Sequence, residues 1–314
     1  MSLFGWIRLR KFIISDIHGN GNVYYSIMNY LDNISKDEEI ILYINGDLID
    51  RGIESAEILL DIKRRIEENR YKIIYLGGNH ELLMYKFYED RKKDKVLSQY
   101  NDWYDNGGWI TDYSLDEILN YDKDEIFRIS DFVGELNIYY KFSEKINGKN
   151  IVLVHAACPM NVSDNCNLKI KDDDSLVNYC VWTREYDPFI PFRCRIGNDR
   201  YFSIVGHTPN DNKYGYVYNS KENYINIDGG CSRYVSGDFS CDHVPLIEIK
   251  DNYLKILTFN NNNEIIYGNY FDGNKSIIIN DNDLDKDRRY LNKKLKIKKL
   301  VRLDDNIIGY EDWK

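Results

Sequence analysis

IISDIHGN (residues 13–20), YINGDLIDRG (43–52) and IIYLGGNHE (73–81) share one form. In each, a run of Ile, Leu and Tyr stops abruptly at Gly, Asp, Asn or His. Runs that are apolar on successive residues fit strands buried on both faces, which here cover KFIIS (11–15), EIILYIN (39–45) and YKIIYLG (71–77). Between them, NVYYSIMNYL (22–31) and ESAEILLDIKRRIEENR (54–70) carry helical periodicity, the second strongly amphipathic. Strand, helix, strand, helix, strand is the pattern of βαβ units, whose parallel strands end along one edge of a sheet.

Working outward, residues 81–137 read as mostly helical, with a break at DNGGW (105–109). From IVLVH (151–155) onward strand character dominates, in YFSIVGH (201–207), NYINID (223–228), VPLIEI (244–249) and YLKILTF (253–259). A βαβ half followed by a strand-rich half predicts an α/β (α+β) fold: two packed mixed sheets flanked by helices, an α/β/β/α sandwich. NNNN (260–263) reads as a loop. The expected division is a catalytic domain over 11–260 and a C-terminal extension over 261–314. The weak periodicity of that extension fits a hairpin, a helix or a poorly ordered tail.

With 314 residues, 43% of them hydrophobic and 30% charged, the chain has the make-up of a globular protein able to bury a large core. Its net charge of −9 argues against a whole-surface nucleic-acid binder. One basic run, KDRRYLNKKLKIKKLVR (286–302), is read as a solvated strand or helix; recruitment of RNA, anionic lipid or an acidic partner is the alternative. No stretch reaches the ~20 apolar residues of a membrane span. Arginines interrupt the N-terminal apolar run, which argues against a cleaved signal. Six cysteines without a CxxC pair fit free thiols in a reducing cytoplasm.

Of five histidines, four (His18, His80, His155 and His207) lie at or beside a strand end next to Gly or Asn. Singly, each is more often a hydrogen-bonded structural residue. Together with Asp16, Asp47 and Asn79, they would meet in the crevice beyond the strand ends. Carboxylate, imidazole and amide oxygen form a donor set for a pair of divalent ions, whereas an apolar core has no use for it.

SDIHG, GDLIDRG, GNHE, VHA and GHT, in that order, resemble the signature of the calcineurin-like metallophosphoesterases. More narrowly, WYDNGGWIT (103–111), FVGELNIYYKF (132–142) and WTRE (182–185) resemble the bacterial and phage-type serine/threonine branch of the phosphoprotein phosphatase superfamily. The likeness covers roughly residues 11–250. It implies that Asp16 and His18 bind one metal, that Asp47 bridges two, and that Asn79, His155 and His207 bind the second. It further implies that His80 protonates the leaving group while Asp50 orients it, and that Arg51 and Arg184 hold the phosphate. Arg193 and Arg195 lie close enough in sequence to Arg184 to compete for that last role. The implied cofactors are two divalent ions, foremost Mn²⁺, with Fe, Zn or Ni as alternatives.

Ser15 stands where many relatives have Gly, a small and harmless change. Ala156 and Ala157 replace glycines of eukaryotic relatives. His243 fits no motif, and Cys231 in IDGGC (227–231) is read as a packed thiol. Tyr104, Tyr113, Tyr186 and Tyr234 are candidates for a pocket rim. The expected activity is hydrolysis of phosphoserine or phosphothreonine in proteins. Dinucleoside polyphosphate hydrolysis, RNA or nucleotide end dephosphorylation, and a non-catalytic scaffold remain as rivals, the last weakened because every expected ligand is present.

Overall fold

The computed structural model describes residues 9–95, 102–172, 174–186, 193–237, 243–279 and 281–291, together with the backbone of 298–303 and 307–312. Strand β1 (Arg10–Ile14) leads through a tight loop into α1 (Gly21–Ile34), and the pattern repeats as β2 (Ile40–Asn45), α2 (Ser55–Glu68) and β3 (Lys72–Leu76). Four helices follow: α3 (Asn79–Lys92), α4 (Asp102–Asp105), α5 (Gly108–Ile118) and α6 (Lys123–Gly134). The second half comprises β4 (Tyr139–Ile146), β5 (Lys149–Val154), a 3₁₀ turn (Ile170–Asp172), α7 (Ser175–Trp182), β6 (Phe202–Val205), β7 (Val217–Asn219), β8 (Tyr224–Asn226) and α8 (Cys231–Val235). Then come β9 (Val244–Lys250), β10 (Tyr253–Phe259), β11 (Ile265–Phe271), β12 (Ser276–Ile278), α9 (Asp281–Arg288), β13 (Lys298–Leu303) and β14 (Ile307–Asp312).

Two sheets carry the fold. One has the order β12-β11-β10-β9-β1-β2-β3, the other β4-β5-β6-β8-β7. Strands β1, β2 and β3 run parallel, as do β5, β6 and β8, so each sheet has its own row of aligned carboxyl ends. Alternation along a strand sorts side chains between two layers. In β1, Ile13 joins Tyr43, Leu153, Ile204 and Ile247 between the sheets. Its neighbours Phe12 and Ile14 face the other way, into a layer with Val23, Ile27, Ile58 and Leu59 of α1 and α2. This is the expected sandwich, sheet upon sheet with helices outside.

The sequence division at residue 260 falls at the turn between β10 and β11, which are neighbours in one sheet. The seven-stranded sheet therefore continues past it, and Leu284 of α9 packs at Gly268 of β11. The hairpin β13–β14 forms a separate two-stranded sheet. Of the basic run, residues 292–297 lie outside the described residues; within it, Lys286 and Arg288 pair with Asp283 and Asp285 one helical turn away. Among the described residues, no helix is long and apolar enough to cross a membrane.

Candidate active site

Every sequence-selected histidine other than His243 follows a parallel strand. Loops after β1, β2 and β3 carry Asp16 and His18, then Asp47, Asp50 and Arg51, then Asn79 and His80. Loops after β5 and β6 bring His155 and His207 from the second sheet. The turns are sharp enough to force left-handed backbone on residues with side chains: φ is 54° at Asp16, 47° at His18, 51° at Asp47, 72° at Asp50 and Arg51, and 69° at His207. Such conformations cost about 1–3 kcal/mol each and persist where surrounding structure imposes them. Close approach sets the glycines: a Cβ on Gly46 would lie 2.6 Å from the Gly78 Cα and 2.8 Å from His155 Nδ1.

Asp47 lies at the centre. Its Oδ2 is 3.3 Å from His155 Nε2, 3.6 Å from His18 Nε2 and 3.9 Å from His80 Nε2. Asn79 Oδ1 lies 2.8 Å from His207 Nδ1 and 3.2 Å from His155 Nε2. Two groups of three therefore have ligand atoms within 4.8 Å of one another, His18–Asp47–His80 and Asp47–His155–His207, and Asp47 belongs to both. Asp16 is beside them but in neither group. Its Oδ1 accepts the His207 backbone N–H (2.9 Å) and its Oδ2 accepts the Ser15 hydroxyl (2.5 Å). Ser15, read from sequence as a harmless replacement, thus touches an expected metal ligand.

The far nitrogens of three imidazoles are anchored on backbone carbonyls. His18 Nδ1 meets the Ile49 oxygen at 3.1 Å, His155 Nδ1 the Asn45 oxygen at 2.8 Å, and His207 Nε2 the Trp182 oxygen at 3.1 Å. A carbonyl only accepts, so each of these nitrogens carries its proton outward and the other faces the cluster. Burial, then Arg51 and His80, pull the His18 pKa well below its usual value; burial, then His155 and Arg184, do the same to His207. Both are neutral, lone-pair-bearing rings. Burial opposes charge on Asp47, yet His155 and His80 outweigh it and hold that carboxyl well below the usual range. Burial likewise opposes charge on His155, but Asp47 and Asp16 push its pKa up to about 10. Burial, then the like charges of Asp228 and Asp47, raise Asp16.

This electrostatic pattern fits divalent cations. Converging oxygens and imidazole lone pairs draw positive charge from what lies nearest. The nearest is the Arg51 guanidinium, whose Nη1 and Nη2 reach His18 Nε2 (3.3 Å) and His80 Nε2 (3.1 Å).

Beside the cluster, His80 Nδ1 lies 2.7 Å from Asp50 Oδ2, both side chains being buried. Arg184 donates to the Thr208 hydroxyl at 3.3 Å, next to His207. Arg193 is engaged by Glu185 and Glu222, and Arg195 by Asp199. Of the three arginines, Arg184 is the one beside the cluster.

A family model described as calcineurin-like phosphoesterase matches residues 9–239. The chain belongs to that family. It shares its fold with a protein serine/threonine phosphatase from Saccharomyces cerevisiae described as similar to human phosphatase PP5, at 16% identity and TM-score 0.53, with 81% of each chain covered. A cold-active protein tyrosine phosphatase, crystallised as a point mutant, matches at 15% identity and TM-score 0.50 over 87% of this chain and 81% of that one. At these identities the likeness is one of fold alone. No curated protein sequence matches the chain. As in the rest of this phosphoesterase family, divalent metal belongs at such a centre, and the donor set agrees.

Sequence reasoning missed two carboxylates. Glu81, in GNHE, is fully buried; its Oε2 accepts the backbone N–H of Asp47 and of Gly78 (both 2.8 Å), and its Oε1 accepts Leu48 N–H (3.0 Å) and the Tyr75 hydroxyl (2.6 Å). It ties the Asp47 loop to the start of α3. Asp228, in IDGGC after β8, is buried beside the cluster, and burial followed by Asp47 pushes its pKa up to about 6 against the Gly230 N–H. Its place at a strand end was the signal for it. Cys231 is buried and takes an Asn20 amide hydrogen on its sulfur at 3.3 Å, as a packed thiol would. His243 stacks on Tyr267. Tyr104, Tyr113 and Tyr186 are exposed, and Tyr104 gives its hydroxyl to Asp112. Five cysteines are free thiols; Cys241 lies outside the described residues.

Proposed function

We propose that this protein is a phosphomonoesterase of the bacterial and phage-type phosphoprotein phosphatase branch, removing phosphate from serine and threonine residues of proteins. Asp16 and His18 would hold one divalent ion, Asn79, His155 and His207 a second, and Asp47 both, with manganese suited to this mix of imidazole and oxygen donors. When bound, such a pair lowers the pKa of a water molecule and neutralises charge on the phosphoryl group. Arg51 swings from His80 onto the phosphoryl oxygens, a planar fork that Lys cannot reproduce, and Arg184 grips them from the loop after α7. Once Arg51 has left it, His80 Nε2 takes up a proton from solvent and gives it to the departing alkoxide, and Asp50 keeps the ring turned toward it. Water is the nucleophile. Burial pushes the Cys158 thiol up to about 11 and raises Cys180 too, opposite to what a cysteine nucleophile needs. A cytoplasmic setting, expected from cysteine usage, belongs to the same reading.

The observation that carries this reading is the buried His80–Asp50 pair beside Asp47, whose Oδ2 lies 3.6 Å from His18 Nε2 and 3.3 Å from His155 Nε2. A serine alkoxide is a poor leaving group, and such a pair supplies what it lacks. The test compares turnover, with manganese, of a phosphoserine peptide, a dinucleoside tetraphosphate and a 5′-phosphorylated oligonucleotide. The peptide should be hydrolysed fastest by kcat/KM, and Arg51→Ala should depress every substrate alike. Preference for the tetraphosphate or the oligonucleotide would move the protein to another substrate class within its family.

A further inference from the structure

We infer that Trp103 and Thr111, from the helical segment between β3 and β4, are positioning residues for the His80–Asp50 acid pair. The inference rests on reading His80 as the acid. Asp50 is wholly buried, and each of its carboxylate oxygens is taken. Oδ2 accepts His80 Nδ1–H and the Trp103 indole N–H, both at 2.7 Å. Oδ1 accepts the Thr111 hydroxyl at 2.6 Å, and that hydroxyl oxygen in turn accepts the Asp50 backbone N–H at 3.2 Å. One threonine thus fixes both the main chain and the side chain of a residue whose backbone is left-handed.

A carboxylate alone on a pivoting bond can present either oxygen, and several lone pairs, to an imidazole. With Trp103 on one oxygen and Thr111 on the other, one direction remains for His80, and the ring is held where its Nε2 faces Arg51 and the ligand cluster. The segment is built to reach this point. A Cβ on Gly108 would come 2.3 Å from Trp103 Nε1, so only glycine leaves the indole its place. The Trp103 ring packs against Phe87 (centroids 5.0 Å apart) and Tyr88 (5.6 Å) of α3. Asp112, next to Thr111, accepts the Tyr88 hydroxyl (2.5 Å), Arg91 Nη1 (3.0 Å) and the Tyr104 hydroxyl, which fastens α5 to α3. The same segment holds Arg51, whose backbone N–H donates to the Gly107 oxygen at 3.3 Å.

A buried carboxylate also needs donors merely to fold. Leaving-group dependence separates the two roles. The full chain with manganese is assayed on a phosphoserine peptide, whose alkoxide needs a proton, and on p-nitrophenyl phosphate, whose phenolate does not. Thr111→Val should lose about tenfold in kcat on the peptide and clearly less on the aryl ester, a fraction of the ~10²–10⁴ that a general acid contributes. KM should change little, and Thr111→Ser should restore turnover. Trp103→Phe should show the same imbalance; if it does not fold, the Thr111 pair decides. Equal losses on both substrates for Thr111→Val, while His80→Ala shows the unequal pattern, would overturn the positioning role. Equal losses for His80→Ala itself would instead overturn the acid reading, and the inference with it.

Discussion

Glu81 offers the clearest energetic test of how the site is held. Its carboxylate accepts four hydrogen bonds, three from backbone N–H groups that have to be satisfied in a buried loop. In Glu81→Gln, one oxygen becomes an amide that can only donate. The less costly flip keeps the acceptor toward Asp47 and Gly78 and turns the NH₂ toward Leu48 and Tyr75. The phenol can rotate to accept, but the Leu48 N–H is orphaned, at about 1–3 kcal/mol. The two retained bonds lose their charge assistance, roughly 1 kcal/mol each. Burial, then repulsion from Asp47, raise the Glu81 pKa, so removing the charge returns part of this. The expected net loss is about 2–4 kcal/mol, several degrees in Tm for a chain of this size. Tyr75→Phe removes one donor of four and should cost only about 1 kcal/mol. Urea and thermal unfolding with a chelator present, so that metal binding does not contribute, measure both. Glu81→Gln within about 0.5 kcal/mol of wild type, the range of an ordinary surface substitution, would refute the reasoning.

Asp47→Asn should abolish turnover and weaken binding of both manganese ions in equilibrium dialysis, because one carboxylate faces both ligand groups; two tightly held ions with near-normal turnover would contradict it. Asp61 is buried, and although burial opposes its charge, Arg65 and the Tyr24 hydroxyl hold its pKa below the ordinary value. A depressed folded-state pKa contributes stability that is present above the unfolded value of ~3.9 and lost as pH falls through the folded one. Wild-type urea midpoints should therefore drop more steeply below about pH 4 than those of Asp61→Asn, and parallel curves would exclude the linkage.

The strands were plain in the sequence because their apolar runs are too short for helices and stop at Gly, Asp, Asn or His, and β1, β2, β3, β5 and β6 lie where those runs are, although β3, at the sheet edge, is only partly buried. Strand β4 was not, since Lys141, Ser143, Glu144 and Lys145 break its pattern and only Tyr139, Phe142 and Ile146 are buried. Strands β11 and β12, in an Asn-rich stretch, take their place from pairing with β10 and with each other, which no local signal encodes. The histidines and aspartates at strand ends were legible because topology alone gathers them. Glu81, Ser15, Trp103 and Thr111 act only through hydrogen bonds to partners that the fold brings near. Asp50 and Thr111 are 61 residues apart, and neither periodicity nor spacing couples them.

The cluster draws on loops from two different sheets, and this bears on the order in which the molecule assembles. His155 reaches Asn45 across 110 residues of chain, and Asp16 reaches His207 across 191. Contacts so distant in sequence are slow to form, because loop-closure entropy is lost before they return anything. The parallel strands that carry the two halves, β1–β2–β3 and β5–β6, lie closer in sequence and can pair while the cluster is still two separate halves. Refolding from urea should therefore recover helix and strand dichroism before it recovers turnover. A nascent chain released before β6 is made would carry Asp16, His18, Asp47 and Asn79 without His207, so catalysis begins only after the last parallel strands have docked.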